Sequence, residues 1–248
     1  KKEGKSSNAI ANLFYLGKRL SEFNESIRFS HFTNEFWSKY QDHHVKYSDN
    51  TLALDQRNLK AFLSWSKGKF HDKDDYKNWK SIQRTPRETF LTPEELFRIE
   101  AIKSFPKEVD YLARDYFIWL CHSGMRYGEF QSLSPDSLKG EVVTYEKKNQ
   151  RNSKSQNRII LSPTLQRIWD KYKGEFPPVH VVRINERLKE IAKIAGIEKN
   201  LSTSVGRHTF GSLMEIVGVD AYTVSKTLGH ASTETTRKNY QHGSPLNE

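Results

Sequence analysis

Three clusters of residues in this chain have types and spacings suited to chemistry on a phosphodiester. The first is Ser123-Gly124-Met125-Arg126-Tyr127-Gly128-Glu129. The second is Ser204-Val205-Gly206-Arg207-His208-Thr209-Phe210. The third is Leu228-Gly229-His230, followed by Thr235-Thr236 and by Tyr240. Attack on phosphorus builds charge on the non-bridging oxygens. The guanidinium groups of Arg126 and Arg207 match that geometry with paired hydrogen bonds and stay charged at any relevant pH. The hydroxyl of Tyr240 is of the type that can attack phosphorus and hold it as a phosphotyrosine. Such an intermediate keeps the bond energy, so rejoining needs neither ATP nor a metal. His230 can add a hydrogen bond to the same phosphate. The leaving 5′-oxygen needs a proton, because an alkoxide leaves poorly. Taken singly these are weak signals, since an arginine at a helix start is usually a solvated charge and a tyrosine near a C-terminus usually packs.

The elements that must position these residues read mainly as helices. Leu13, Leu16, Leu20 and Phe23 predict a helix over Asn8 to Phe23, with Gly17 inside it. Phe32, Phe36, Trp37 and Tyr40 predict another over His31 to Tyr47, with Thr33 as its N-cap. A third runs from Asp49 to Lys67 out of the cap-rich cluster Ser48-Asp49-Asn50-Thr51. The aromatics of these helices, Phe62 and Trp65 among them, are expected in a core. His71 to Glu88 is mostly polar, and Gln83 to Glu88 reads as a linker. Thr92, Pro93 and Glu95 then spell a capping box for a new helix. Val109 to Ser123 is apolar enough to be a buried helix, with Cys121 as a core residue. Val142 to Glu146 and Ile159 to Leu161 read as a β-hairpin around the polar turn Asn149 to Gln156. Helices are expected at Pro163 to Tyr172, Arg183 to Ala195, Arg207 to Val217 and Tyr222 to Leu228.

The fold class expected is therefore mainly α (α+β). Residues 1–84 form a helical unit, 85–90 a linker, and 91–248 a mixed helical unit with a small antiparallel sheet. A length of 248 residues has room for both. A net charge of +10 and a pI near 9.5 point to a polyanionic partner, of which nucleic acid is the commonest. One cysteine excludes an intrachain disulfide and fits a reducing cytoplasm. No apolar run approaches the roughly 18 residues of a membrane span, and no signal peptide is visible. The chain begins with Lys1 rather than Met, as a piece of a longer protein would. No paired carboxylates stand at metal-ligand spacing, so neither a metal nor a cofactor is expected.

As an ordered set, the three clusters resemble the tyrosine recombinase family, over roughly residues 90–243. The N-terminal helices, with Tyr47-Ser48-Asp49-Asn50-Thr51 and Phe62-Leu63-Ser64-Trp65-Ser66, look like that family's core-binding domain. The resemblance implies a site-specific recombinase or integrase that cleaves and rejoins DNA through a 3′-phosphotyrosine. Tyr240 would be the nucleophile, with Arg126, Arg207 and His230 on the phosphate. It implies a lysine on the hairpin as the leaving-group acid. Lys154, followed by Ser155 and close ahead of Ile159, fits that place best; Lys148 is the alternative, and Lys147 lies beside it. Glu129, three residues after Arg126 and so on the same helical face, would support the site without being its catalyst. His208 points to another side and is read as structural.

Two positions depart from the family. The family usually has His, or sometimes Lys, three residues before the second arginine, where this chain has Ser204 (207 − 3). Serine is no general base near neutral pH, so deprotonation of Tyr240 would fall to the arginines and water. His230 and Tyr240 are ten apart (240 − 230), one more than the family commonly shows. The resemblance implies double-stranded DNA as partner, a homotetramer on two duplexes and a monomer or weak oligomer without DNA. It implies a cytoplasmic, nucleoid-associated location. Two other readings stay open: a non-catalytic DNA-binding protein of the same fold, which Ser204 supports, and a type IB topoisomerase.

Overall fold

The computed structural model describes residues 7–80, 89–146 and 156–228. The chain divides into two compact units, Lys1–Pro86 and Arg87–Glu248.

In the first unit, α1 (Ser7–Phe23), α2 (Phe36–His43) and α3 (Asp49–Ser66) surround an aromatic core of Phe32, Phe36, Trp37, Tyr40, Tyr76 and Trp79 with Leu16, Leu52, Leu59 and Leu63. Ser48 caps α3 by accepting from the Thr51 amide. The buried carboxylate of Asp55 is satisfied by Arg19, whose Nε donates at 2.6 Å, and by the Tyr40 hydroxyl at 3.1 Å.

Three expectations are corrected here. The second helix starts at Phe36, not His31, and Thr33 is not its N-cap. A single 3-10 turn over Phe29–His31 comes first, and the Thr33 carbonyl is held at 2.8 Å by the indole Nε1 of Trp79. The polar stretch after His71 supplies Tyr76 and Trp79 to the core. Phe62 and Trp65, expected inside, lie on the exposed face of α3. The linker predicted over Gln83–Glu88 falls outside the described residues.

The second unit is built around α5 (Glu108–Ser123), in which every residue from Tyr116 to Cys121 is buried. Packed against it are α4 (Pro93–Glu100), α7 (Pro163–Tyr172), α8 (Val181–Ile194) and α9 (Thr203–Ile216). The predicted capping box is present: Thr92 Oγ1 accepts from the Glu95 amide at 3.2 Å, and Glu95 Oε2 accepts from the Thr92 amide at 2.8 Å. The short helix α6 (Tyr127–Phe130) follows α5, and α10 (Ala221–Leu228) follows α9. A three-stranded antiparallel sheet, β1 (Leu138–Lys139), β2 (Val142–Glu146) and β3 (Gln156–Ile160), stands in chain order. Within it Val143 lies opposite Ile159 and Tyr145 opposite Asn157. Strand alternation turns Val143 and Tyr145 into the core. The mainly helical fold with a small antiparallel sheet is the one the sequence pattern implied; β1 is an addition.

Two glycines allow the close packing behind the candidate residues. Gly206 brings α9 so near α5 that a Cβ there would stand 2.9 Å from Leu120 Cβ. Gly124 ends α5 in the left-handed conformation (φ 65°). A Cβ on it would meet Phe210 at 2.6 Å and Leu228 at 2.8 Å.

Candidate active site

Arg126 is placed by the sharp stop of α5. Left-handed Gly124 reverses the chain, buried Met125 anchors it, and Arg126 becomes the N-cap of α6. Glu129, almost wholly buried, accepts from the Arg126 amide at 2.9 Å through Oε2 and from its guanidinium at 3.0 Å through Oε1. One carboxylate thus fixes both the backbone and the head of Arg126. The guanidinium keeps a partly exposed edge, with 37% of the side chain accessible, which leaves donors for an anion.

Arg207 is buried and clamped. Its Nη1 donates to the Gly124 carbonyl at 2.7 Å and its Nη2 to the Leu228 carbonyl at 2.5 Å. The clamp joins three segments: the turn that presents Arg126, the helix α9, and the end of α10. The position of Arg207 corrects the expected start of its helix. α9 begins at Thr203, so Arg207 lies inside it and not at its first turn's edge. The reason is a cap supplied from elsewhere: Asn185 Oδ1 on α8 accepts from the Thr203 amide at 2.9 Å.

Ser204 is exposed in the first turn of α9, three residues before Arg207 and so on the same helical face. Its hydroxyl lies 2.9 Å from that of Ser202. His208 is half-buried. Tyr145 was not singled out by sequence reasoning, although strand periodicity placed it beside Val143. Burial pushes its hydroxyl upward, Asn157's hydrogen bond draws it down, and the charges of Glu129, Arg207 and Arg126 all act on it. In the backbone, Arg207 holds the Gly124 carbonyl two residues before Arg126, and Asn157 ties Tyr145 to Thr227, the residue before the second carbonyl that Arg207 holds. Tyr240, His230, Lys147, Lys148 and Lys154 lie outside the described residues.

Residues 89–246 match the model of the phage integrase family. The chain belongs to the phage integrase family. The family and the fold are those of tyrosine recombinases, which are enzymes of DNA recombination and integration. Comparison with curated protein sequences finds no match. Among solved structures, a lambda integrase fragment, a dimer bound to a COC′ core site, superposes with a TM-score of 0.80 at 14% identity, over 100% of this chain and 93% of that one. A Tn1549 transposon integrase fragment in complex with transposon right end DNA gives 0.79 at 16% identity, over 98% and 92%. The XerH site-specific recombinase in a post-cleavage complex gives 0.72 at 18% identity, over 93% and 75%. These likenesses extend the shared fold over both units of this integrase-family chain. Among its described residues no helix is long and apolar enough to cross a membrane.

Proposed function

We propose that this chain is a site-specific recombinase that breaks and rejoins DNA strands through a 3′-phosphotyrosine on Tyr240. The Tyr240 oxygen forms a bond to phosphorus as the bond from phosphorus to the 5′-oxygen breaks. Arg126 and Arg207 hold the non-bridging oxygens, and His230 adds a hydrogen bond. A hairpin lysine, Lys154 or else Lys148, gives the leaving oxygen its proton. Religation runs the same steps backward on a new 5′-hydroxyl. Glu129 keeps Arg126 aimed. With Ser204 at the position where the family has a base, the arginines and water serve to lower the barrier to deprotonating Tyr240. The observation that carries this reading is the clamp of Arg207 on the Gly124 carbonyl, two residues from Arg126 (126 − 124), which ties the helix bearing one arginine to the turn bearing the other.

The partner is double-stranded DNA, held by Lys and Arg on its phosphates. Assembly is as a tetramer on two duplexes, in line with the lambda integrase tetramer bound to a Holliday junction, which superposes with a TM-score of 0.78 at 15% identity over 100% of this chain and 76% of that one.

The test uses nicked duplexes drawn from a random-sequence pool, which trap the covalent state by releasing a short strand. The wild-type chain should form a protein–DNA adduct that mass spectrometry maps to Tyr240, and Tyr240→Phe should form none. Adducts that persist in the variant refute the assignment of the nucleophile. Sequence-specific DNA binding without any adduct would instead establish the non-catalytic reading, to which Ser204 points. Relaxation of any supercoiled plasmid without a site would establish a topoisomerase.

A further inference from the structure

The hairpin carries a polar pair that the chemistry above does not use. Tyr145 on β2 and Asn157 on β3 lie directly opposite one another in the antiparallel register. Asn157 Nδ2 donates to the Tyr145 hydroxyl at 3.0 Å, and the same nitrogen reaches the Thr227 carbonyl on α10 at 3.5 Å. Thr227 precedes Leu228, whose carbonyl accepts from Arg207. Tyr145 is buried, and only the Glu146–Gln156 rung separates it from residues 147–155, the stretch that contains Lys147, Lys148 and Lys154. One carboxamide therefore links the two strands to each other and the hairpin to the helix end that holds Arg207.

A pair that served only to hold two strands together could be apolar. Burying a phenol beside a carboxamide is unfavourable unless their hydrogen bonds are made, and in return such bonds fix one geometry. Here the geometry fixed is the distance between the base of the hairpin and the arginine site.

We propose that Tyr145 and Asn157 are a positioning pair, which sets where the leaving-group acid on the hairpin meets the phosphate held by Arg126 and Arg207. The inference rests on the recombinase reading above. The pair touches no reacting atom and acts through the lysine.

Tyr145→Phe keeps the ring and removes the hydroxyl. Its single-turnover rate of adduct formation, on a duplex selected in the suicide-substrate assay, should fall about tenfold, the effect of one lost hydrogen bond. Affinity for the duplex should stay at the wild-type value, since no charge changes. The decisive substrate has sulfur in place of the bridging 5′-oxygen at the cleaved bond. There the bond from phosphorus to sulfur breaks and a thiolate leaves without needing a proton, so a misplaced acid no longer matters. On it Tyr145→Phe should match the wild-type rate. Asn157→Ala, which leaves the phenol in place, should show the same two rates.

A slowing that persists on the sulfur substrate would overturn the proposal, because the pair would then act on the arginines or the nucleophile. Unchanged rates for both variants on both substrates would also overturn it while leaving the recombinase reading intact. Absence of any adduct from the wild-type chain would remove that reading and this one together.

Discussion

Replacing Arg207 with lysine separates what the charge of this residue does from what its shape does. Arg207 spends two terminal nitrogens on two carbonyls, Gly124 at 2.7 Å and Leu228 at 2.5 Å. Lysine carries one ammonium on a flexible stem and cannot reproduce that fork. At least one charge-assisted hydrogen bond is lost, worth about 1.5–3 kcal/mol, and the freed carbonyl is partly rehydrated. Taking about 2 kcal/mol, the melting temperature should drop by about 4–8 °C, at the 2–4 °C per kcal/mol typical of chains of this size. The loss in chemistry should be larger. The turn bearing Arg126 and the end of α10 would no longer be tied together, and a donor to the transition state would be displaced. Removal of a single oxyanion donor lowers rates by roughly 10²-fold or more, and Arg207→Lys should do the same to adduct formation. Binding should be spared, because the positive charge and so the slope of affinity against salt are retained. Adduct formation is read by gel or mass spectrometry and binding by titration at two salt concentrations. A variant that cleaves within threefold of wild type, roughly 0.6 kcal/mol, would refute the idea that the clamp aligns the site.

Other perturbations test neighbouring parts of the argument. Gly124→Ala forces a side chain into the left-handed region (about 1–2 kcal/mol) and against Phe210 and Leu228 (about 1–3 kcal/mol), so the melting temperature should fall clearly; an unchanged value would refute the packing argument. Glu129→Gln retains one acceptor but loses the charge that grips Arg126, and should slow adduct formation by about tenfold while the duplex still binds. His44 is buried, and desolvation, with the charge of His43 in support, holds its imidazole below the usual histidine value against the opposing hydrogen bond to the Tyr40 carbonyl. The unfolded chain then binds more protons than the folded one once pH falls below the ordinary histidine value, about 6.5. Stability that is complete above that value should be lost as pH falls through the lowered folded value. Melting curves at about pH 7.5 and about pH 5.5 should show a smaller drop for His44→Gln than for wild type.

Local chemistry made part of this molecule legible from its residues. The capping box of Thr92 and Glu95, the Pro163 start of α7 and the strand at Val142–Glu146 depend on residues a few positions apart, and each stands where its pattern placed it. The grip of Glu129 on Arg126 is likewise an i,i+3 relation that spacing suggests. What spacing could not convey came from distant partners. The start of α9 is set by Asn185 on another helix, and Arg207 is held by carbonyls 83 and 21 residues away. Tyr76 and Trp79 join the first core from a stretch whose average polarity conceals them, whereas Phe62 and Trp65 follow a helical pattern yet face outward. Tyr145 was visible as a strand residue, but its relation to the arginines depends on the tertiary contact of Asn157 with Thr227 on α10.

The chain's sole cysteine, Cys121, lies in the last turn of α5 with 1% of its surface accessible, and burial raises its thiol well above the ordinary value. Thiolate is the form that reacts with labelling reagents, so the native chain should be almost inert to them. Any labelling that does occur must pass through an opening of the helix that supports both arginine-bearing segments. The lone thiol is therefore a built-in clock for the unit's internal breathing. A duplex seated on Arg126 and Arg207 should slow that clock to the extent that it binds the closed form alone.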